Sequence, residues 1–503
     1  MGWYSCFHRN APKITKNSLR SLGRCGAFFI VQITEQQIRR IVEHVVDALA
    51  LAPSPKAEAA DATHGIFADI DSAIAAAKAA QRELMTLTLE TRKAMIQAMR
   101  QTILRHNELL SKSAVAETGL GRYDNKLIKH QLVAAKTPGV EDLESVSYSD
   151  DHGLTLVERA PYGVIGAIIP VTNPSSTVVN NGIGMVAAGN AVVFNPHPGA
   201  KRTSCLAVSL LNEAIVSAGG PRNLLTAIAN PTIESAQALM KHPHVNLLVV
   251  TGGPAVVNVA MNSGKKVIAA GPGNPPCVVD ETADIAKAGK DIVDGASFDN
   301  NIVCICEKEV LAVAAIADQL KQVMVKHGAY ELTRQQIEQI TKLVIAEPGG
   351  PGKEGLPNKK FVGKSPRVIA KEIGLNLPES TRLLLCEVGR DHPLVWTEQL
   401  MPVLPLARLN SVDEAIDLAV ECEHGFRHTA MMHSLNVQKL SNMAKLMNCS
   451  IFVKNGPCYA GLGQGGAGFT SFTIASPTGE GLTRARTFTR ERRCVLVDYF
   501  RIV

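Results

Sequence analysis

Short apolar runs rich in β-branched residues alternate with helical stretches through the middle of this chain, and this alternation restricts its fold more than any other feature. The runs cover residues 164–169, 191–194, 247–250, 267–269 and 277–279. Strands that alternate with helices are typical of a mostly parallel sheet. A chain of 503 residues with 46% hydrophobic content can fill more than one core. We therefore predict an α/β fold with two or three domains.

Glycine and proline mark where several of the helices begin and end. Residues 67–110 read as alanine-rich helices. A later helix ends at Gly219 and Gly220, whereas Gly252 and Gly253, followed by a proline, open another helix directly after a strand. These positions predict strand-to-helix turns on the sheet.

The charge of the chain gives no reason to expect a nucleic-acid partner. The formal net charge is +6, but five of the 52 lysines and arginines lie in residues 1–32, which hold no acidic residue. The remaining chain is nearly neutral and offers nucleic acid no general electrostatic attraction. No apolar run reaches the roughly 18 residues that a membrane span requires. We expect a protein that binds neither nucleic acid nor membrane.

The eleven cysteines are scattered along the chain. They lack the CxxC pairs that mark zinc sites, and in a chain of this length they do not suggest a disulfide framework. We therefore expect no metal site and a reducing, cytoplasmic location.

The N-terminal 61 residues divide into three segments. Residues 1–32 are a basic extension without a signal core, for which upstream sequence read from a misplaced start codon is favoured over a transit-like extension. Residues 33–50 carry apolar side chains at spacings of three and four, which predicts an amphipathic helix. Residues 51–61 read as a linker. Periodicity alone slightly favours a helix docked on its own domain over a partner-binding peptide.

One cysteine follows a polar loop and precedes a strand-like run. The loop is Ser-Phe-Asp-Asn-Asn at residues 297–301, and the cysteine is Cys304. A thiol is a strong nucleophile, but its site must lower the pKa for thiolate to form at neutral pH. A cysteine taken alone is more often a small buried apolar residue. Its position in the chain, and not its residue type, must therefore support Cys304 as the nucleophile. Cys306 is treated as a bystander.

Five collinear segments together resemble the aldehyde dehydrogenase family. They are a P-x-G-V…I-P-x-N-x-P segment, an A-G-N-A-V-V strand, a T-G-G-P turn, the Cys304 loop and an E-x-x-x-P-V segment, at residues 161–174, 188–193, 251–254, 295–309 and 397–403. The family has a nucleotide-binding α/β domain, a catalytic α/β domain and a β oligomerisation arm. By resemblance, residues 62–270 form the NAD- and CoA-binding domain, 271–460 the catalytic domain, and 461–503 a return segment. Residues 146–160 and 484–503 form the arm.

The resemblance also assigns two catalytic residues. The Cys304 thiolate attacks the aldehyde, and the Asn173 side-chain amide and the Cys304 backbone N–H hold the oxyanion that results. Hydride transfer to the nicotinamide then leaves a thioester on Cys304. Without the resemblance, Asn173 would simply be an asparagine that starts a turn before a proline.

The cofactor-binding residues are carried over in the same way. The resemblance places Thr251, Gly252 and Gly253 at the pyrophosphate, although a tight strand-to-helix turn needs glycine in any case. It places Glu398 on the nicotinamide-side ribose. Pro170, Val171, Thr172, Asn195 and His197 are expected to line the nucleotide pocket. Asn195 stands where many relatives have a lysine, so NAD is expected and NADP stays possible.

One departure from the family pattern points to the acyl acceptor. Hydrolytic members carry a glutamate that activates the water which cleaves the thioester, and this chain has Ala270 there. A thiol such as that of CoA needs little help from a base. Residues 271–276, 297–304 and 479–490 also resemble the CoA-acylating propionaldehyde and acetaldehyde dehydrogenases of bacterial microcompartments. The resemblance thus implies a CoA-acylating enzyme that uses NAD.

Members of this subfamily carry a helix and linker that direct them into a microcompartment. We therefore predict that residues 33–50 bind a shell protein, and that the chain is a homodimer or homotetramer. Two alternatives remain: a hydrolytic aldehyde dehydrogenase, and an inactive scaffold of the same fold. Propionaldehyde and acetaldehyde differ by one methylene, about 1 kcal/mol in a pocket, so the sequence does not fix the aldehyde.

Overall fold

Two parallel sheets form the framework of the computed structural model, which describes residues 65–503. The predicted segments 1–32, 33–50 and 51–61 lie outside the described residues. The first sheet has the strand order β1-β6-β5-β4-β7-β8. Its strands are β1 (Ile66–Phe67), β4 (Val164–Ile169), β5 (Ala191–Pro196), β6 (Leu225–Ile228), β7 (Leu247–Thr251) and β8 (Lys266–Ala270).

Eight helices accompany this sheet within the described residues. Four precede its second strand: α1 (Ile70–Leu84), α2 (Leu89–Arg105), α3 (Asn107–Thr118) and α4 (Tyr123–Lys136). The other four follow individual strands: α5 (Pro174–Ala187), α6 (Lys201–Ser217), α7 (Ile233–Lys241) and α8 (Pro254–Met261). Every residue of β4 and β5 is buried, as expected for strands that helices cover on both faces.

The second sheet has the strand order β11-β14-β15-β10-β9-β16-β17 and is also parallel. Its strands are β9 (Pro276–Val279), β10 (Glu309–Val313), β11 (Ala329–Glu331), β14 (Leu383–Val388), β15 (Val403–Leu409), β16 (Thr429–His433) and β17 (Ile451–Lys454). The helices of this half are α9 (Ile285–Ala296), α10 (Ala314–Lys326), α11 (Arg334–Val344), α12 (Pro366–Lys371), α13 (Val412–Cys422) and α14 (Val437–Met447). Two short antiparallel pairs complete it: β12 (Ile345–Glu347) with β13 (Leu356–Pro357), and β18 (Ile474–Ala475) with β19 (Gly481–Leu482).

A separate antiparallel sheet joins two distant segments of the chain. It consists of β2 (Val146–Asp150), β3 (Gly153–Pro161) and β20 (Thr489–Val497), with β3 in the centre. All of β2 and all but the first residue of β20 are exposed. Both edge strands therefore present unpaired backbone groups to their surroundings.

The predicted α/β fold with a mostly parallel sheet is confirmed. Each of the five apolar runs lies in a strand, and Gly253 directly precedes helix α8. One continuous hydrophobic cluster includes buried residues of both large sheets. The domain boundaries at residues 270 and 460 therefore stay sequence-based predictions, as does the oligomeric role of the arm sheet.

Several features of the described residues bear on the expected partners. Every cysteine between residues 65 and 503 is a free thiol. In the same range, no group of three histidine, cysteine or acidic side chains is arranged to hold a metal ion. None of the helices there is long and apolar enough to cross a membrane.

Candidate active site

Except for Glu398, the predicted nucleotide-binding residues gather at one edge of the first sheet. Residues 170–172 follow β4, 195–197 end β5, and 251–253 follow β7, and these three strands are neighbours. The carboxyl ends of parallel strands meet at the same edge. The chain proceeds from β4 toward β5 and β6 and then returns to place β7 on the other side of β4. This reversal of strand order leaves the kind of crevice in which open α/β sheets bind ligands.

The two glycines at the start of α8 are not required by backbone strain. Neither Gly252 nor Gly253 has a positive φ, and Gly253 has φ −70° and ψ 170°. A Cβ on Gly252 would stand 2.7 Å from Val256 Cγ1, whereas a Cβ on Gly253 would meet no described atom within 4 Å beyond its chain neighbours. A tight turn therefore does not explain Gly253. The bare helix start leaves space for a ligand to approach the backbone N–H groups.

Thr251, Asn195 and His197 are each engaged by other parts of the fold. The hydroxyl of Thr251 lies 2.8 Å from that of Thr473, which ties the end of β7 to the C-terminal segment. Asn195 is buried, and its Oδ1 accepts a hydrogen bond of 2.6 Å from Ser235. His197 Nδ1 accepts one of 3.0 Å from the backbone of Gly199.

The nucleophile candidate lies in a turn before β10 and not on a strand. Three successive residues before it, Asp299, Asn300 and Asn301, have positive φ between 51° and 63°. Their side chains stabilise this unusual backbone: Asn300 Nδ2 donates to the carbonyl of Gly363 at 2.9 Å, and Asn301 Nδ2 donates to the carbonyl of Ala296 at 2.8 Å. Asparagine and aspartate tolerate the left-handed region better than other residues with side chains. The polar loop is therefore a rigid support for Cys304.

The Cys304 side chain is partly buried among groups that hold it as a thiol. Burial, followed by the negative charge of Glu398, raises the pKa of Cys304 to about 12, while Lys308 acts in the opposite direction. Lys308 is fully buried, and its Nζ donates to Asn301 Oδ1 at 2.6 Å. Cys306 is fully buried too and lies 3.8 Å from the carbonyl of Phe298. Attack by Cys304 therefore requires a group that accepts its proton.

Gly273 brings three candidate residues together. Its backbone N–H donates a hydrogen bond of 3.3 Å to Glu398 Oε1. A Cβ on Gly273 would stand 3.1 Å from the Cys304 carbonyl oxygen and 2.8 Å from His428 Cγ. Glycine is needed here because any side chain would displace the nucleophile loop or the imidazole. Burial, followed by weaker effects that include Glu354, raises the pKa of Glu398 to about 7.

His428 was not identified from the sequence, and the structure places it beside the nucleophile loop. It is fully buried, and its Nδ1 lies 2.8 Å from Thr429 Oγ1. Its Nε2 finds no hydrogen-bond partner among residues 65–503. Burial, followed by the charge of Lys308, lowers the pKa of His428 to about 3, so the ring is a neutral imidazole at pH 7. Nothing in its local sequence distinguishes it from the other histidines.

These residues share a position in the second sheet. Gly273, Cys304, Glu398 and His428 each lie within six residues before a strand, namely β9, β10, β15 and β16. Those strands are adjacent in the order β15-β10-β9-β16. Four segments that are far apart in the chain therefore meet at the amino-terminal edge of one sheet.

Asn173 belongs to the first sheet, between β4 and α5, but it is linked to the Cys304 loop. Its side chain makes no capping hydrogen bond to helix α5. Its Oδ1 accepts a short hydrogen bond from Lys129 on α4, and the same ammonium group contacts Asp299 in the nucleophile loop. Both Lys129 and Asp299 are fully buried. The interpretation of Asn173 as a simple turn-starting residue therefore does not account for its side chain.

Ala270 ends β8 and is 5% exposed. Among the charges that act on Cys304, that of Glu398 has the largest effect. Residue 270 carries only a methyl group.

Comparisons with known proteins identify relatives of this chain. Residues 47–338 match the aldehyde dehydrogenase family. The chain is 50% identical to acetaldehyde dehydrogenase (acetylating) EutE of Salmonella typhimurium over 92% of this chain and 99% of that protein. It is 46% identical to propanal dehydrogenase (CoA-propanoylating) of Citrobacter freundii, over 87% of this chain and 94% of the relative.

Solved structures of similar proteins include two with bound ligands. The propionaldehyde dehydrogenase of Rhodopseudomonas palustris, with bound CoA and an acylated cysteine, has a TM-score of 0.84 and 51% identity, covering 86% of this chain and 98% of that chain. An engineered glycolyl-CoA reductase with bound NADP+ has a TM-score of 0.84 and 50% identity, covering 88% and 99%. A propionaldehyde dehydrogenase of the Clostridium phytofermentans fucose utilisation microcompartment has a TM-score of 0.84 and 49% identity, covering 88% and 100%.

Proposed function

The chain belongs to the aldehyde dehydrogenase family, and we propose that it oxidises a short aldehyde to an acyl-CoA through a thioester on Cys304. Relatives that are about half identical in sequence act as acetylating and propanoylating dehydrogenases. The observation that favours CoA over water as the acyl acceptor is Ala270, because its methyl group cannot activate water. The enzyme is a CoA-acylating aldehyde dehydrogenase that uses a nicotinamide dinucleotide.

Cys304 forms the covalent intermediate. Its sulfur attacks the aldehyde carbon, and the oxyanion that forms accepts hydrogen bonds from the Asn173 amide and the Cys304 backbone N–H. The bound dinucleotide supplies the hydride acceptor. The thioester that results lacks a carboxylate at residue 270 to promote its hydrolysis, so it persists until the thiol of CoA displaces the cysteine.

His428 is the proposed proton acceptor. The nucleophile must lose a proton, and the free nitrogen of a neutral imidazole can accept it. The pKa of His428 is about 3 beside a neutral thiol, so the transfer requires that the negative charge of the new thiolate stabilise the imidazolium. The His428 ring and the Cys304 carbonyl both lie next to the position that a Cβ on Gly273 would occupy. The Nε2 atom of His428 has no partner in the described part of the chain. This placement supports a role in deprotonating Cys304 or the incoming thiol.

The crevice at β4, β5 and β7 fits a dinucleotide and CoA in turn. We assign the pyrophosphate to Gly252 and Gly253 at the start of α8, where the open Cβ position of Gly253 supports a close ligand. Glu398 is assigned to the nicotinamide-side ribose. Asn195 in place of lysine leaves both NAD and NADP as acceptors, and NAD is the expected one.

Assembly and location follow from two further segments. The exposed strands β2 and β20 support a homodimer or homotetramer in which the arm sheet pairs with a neighbouring protomer. Residues 33–50, with their apolar periodicity, are proposed to bind a microcompartment shell protein. A fluorescent protein fused to residues 33–50 should enter microcompartments, and a fusion in which Ile41 and Val45 are changed to aspartate should not.

The test of the proposed activity is NADH formation from propionaldehyde and acetaldehyde, with and without CoA. We expect CoA-dependent turnover, acyl-CoA as the product by mass spectrometry, and no turnover by Cys304→Ala. Free acid formed equally fast without CoA would support the hydrolytic alternative. Absence of all turnover in a folded protein that binds NAD would support the scaffold alternative.

A further inference from the structure

The side-chain amide of Asn173 has two chemically different ends, and its contacts decide which end faces the substrate. Asn173 Oδ1 accepts a hydrogen bond from Lys129 Nζ. An ammonium group has only donors, so it must face the amide oxygen and cannot face the amide nitrogen. The Nδ2 end is left with a single long contact of 3.4 Å to Thr172 Oγ1. We propose that Lys129 is a positioning residue that fixes the Asn173 amide with its N–H groups directed to the oxyanion.

Lys129 is itself held in place by the nucleophile loop. Its ammonium group contacts Asp299 Oδ2, and Lys126 Nζ lies 2.9 Å from the same oxygen. Asp299 Oδ1 accepts a hydrogen bond of 2.7 Å from the backbone N–H of Arg122, just before α4. The carboxylate is therefore fixed from two sides, and the ammonium group of Lys129 bridges a residue five positions before Cys304 to Asn173. Nucleophile and oxyanion donor are positioned by one cluster.

The burial of the cluster makes this arrangement unlike an ordinary surface ion pair. The side chains of Lys126, Lys129 and Asp299 are at most 2% exposed. Burial lowers the pKa of Lys129, while the attraction of Asp299 opposes this effect. Asp299 is fully buried yet has a lowered pKa because the two lysines outweigh desolvation. Two buried lysines on one carboxylate are costly for stability alone, since apolar side chains of similar size often serve as well or better. A requirement to orient Asn173 explains why Lys129 is present.

Lys126 offers a matched control on the same helix and the same carboxylate. Its Nζ donates to the Thr172 backbone carbonyl at 2.9 Å, but the structure gives it no contact with the Asn173 side chain among residues 65–503. Lys126→Met and Lys129→Met thus remove the same charge from the same cluster. Only the second removes the group that orients the amide.

The experiment measures the pre-steady-state burst of NADH, which reports acylation of Cys304, and the rate at which iodoacetamide alkylates Cys304. Alkylation requires a thiolate but forms no oxyanion. Because removal of one oxyanion donor typically costs about 10²-fold or more, we expect Lys129→Met to slow the burst by up to about that factor. The alkylation rate should stay near that of the parent enzyme. Lys126→Met should slow the burst much less.

A double variant separates this proposal from the function on which it rests. If Lys129 acts through Asn173, then Lys129→Met/Asn173→Ala should be no slower than Asn173→Ala alone. If the burst of the double variant were slowed by the product of the two single-variant factors, the positioning role of Lys129 would be overturned. A normal burst in Asn173→Ala would instead show that the proposed oxyanion role of Asn173 is wrong. If Lys129→Met does not fold, Lys129→Leu is the substitute, because leucine also removes every hydrogen-bond donor at this position; a normal burst in Lys129→Leu would also overturn the proposal.

Discussion

Glu398 Oε1 accepts a hydrogen bond of 3.3 Å from the backbone N–H of Gly273, which places a carboxylate next to the residue that contacts both Cys304 and His428. The charge of this carboxylate raises the pKa of Cys304 beyond the effect of burial. The proposed ribose-binding residue therefore also influences the nucleophile. The charge of Glu398 favours the neutral thiol of Cys304 over the thiolate, so another group in the site must accept the thiol proton before Cys304 can attack.

Glu398→Gln should make Cys304 reactive at lower pH. The Glu398 carboxyl ionises as the pH rises through about 7, and its negative charge then opposes formation of the thiolate. Glutamine removes that charge, so the pH profile of iodoacetamide alkylation should shift to lower pH. Glu354→Gln is the control and should not shift the profile to lower pH, because removal of Glu354 lowers the pKa of Glu398 and leaves its negative charge beside Cys304. Superimposable profiles for Glu398→Gln and the parent enzyme would contradict the prediction.

The same substitution should change stability in a pH-dependent direction. The pKa of Glu398 is raised from 4.5 to about 7 in the folded protein, so the folded state binds this proton more tightly than the unfolded state. The resulting stabilisation is present below about pH 4.5 and is lost as the pH rises to about 7. We therefore expect Glu398→Gln to gain stability relative to the parent enzyme between these pH values, measured by urea denaturation at pH 5 and pH 8.

Ala270→Glu should convert part of the turnover to hydrolysis. Ala270 pairs in register with Thr251, so a longer side chain at this position starts from the edge of the proposed nucleotide crevice. A carboxylate there restores the base that hydrolytic relatives use. We expect NADH formation without CoA, with free acid as the product and a shorter lifetime of the Cys304 thioester by mass spectrometry. Ala270→Gln, which matches the size without the base, should show no such release.

Gly253→Ala should separate binding from stability. The backbone at Gly253 is accessible to alanine, and a Cβ there meets no described neighbour beyond the adjacent residues. Alanine at such a position commonly stabilises a protein by about 0.4–1 kcal/mol, because it restricts the unfolded chain. We expect an unchanged or slightly higher melting temperature together with a higher KM for both the dinucleotide and CoA. An unchanged KM for both would remove Gly253 from the proposed pyrophosphate site.

Two charged substitutions in the arm should produce monomers. Val495 and Val497 lie on the same face of β20 and are 55% and 61% exposed, which is unusual for valine in a strand. Burying two carboxylates in a subunit interface would be costly. We expect Val495→Asp/Val497→Asp to sediment as a folded monomer while the parent chain sediments as a dimer or tetramer. Parent protein that is already monomeric would show that the arm sheet has no role in assembly.

The alternation of apolar runs with helices determined the fold class. A strand buried on both faces, such as β4 or β5, needs a continuous apolar run, and such a run can be recognised from the local sequence alone. Among eleven cysteines, Cys304 could be chosen only because its loop is one of five segments that match the family in order. Ala270 was informative because hydrolytic members of the family have a glutamate at that position. The strands β1 and β6 were not predicted, and β1 has only two residues. Cys304 and Cys306 both lie before β10, which begins at Glu309.

The site itself was decided by tertiary structure. His428 and Glu398 meet Cys304 only because β15, β10, β9 and β16 are adjacent, an order that no stretch of sequence specifies. Lys129 is 44 residues from Asn173 and 170 from Asp299. In the sequence it is one more charged residue on a helix. Local sequence fixes periodicity, turns and nucleophile type, because these depend on neighbours in the chain. The partner of a buried charge depends on which helices and loops pack together, and that is set only when the two sheets share one core.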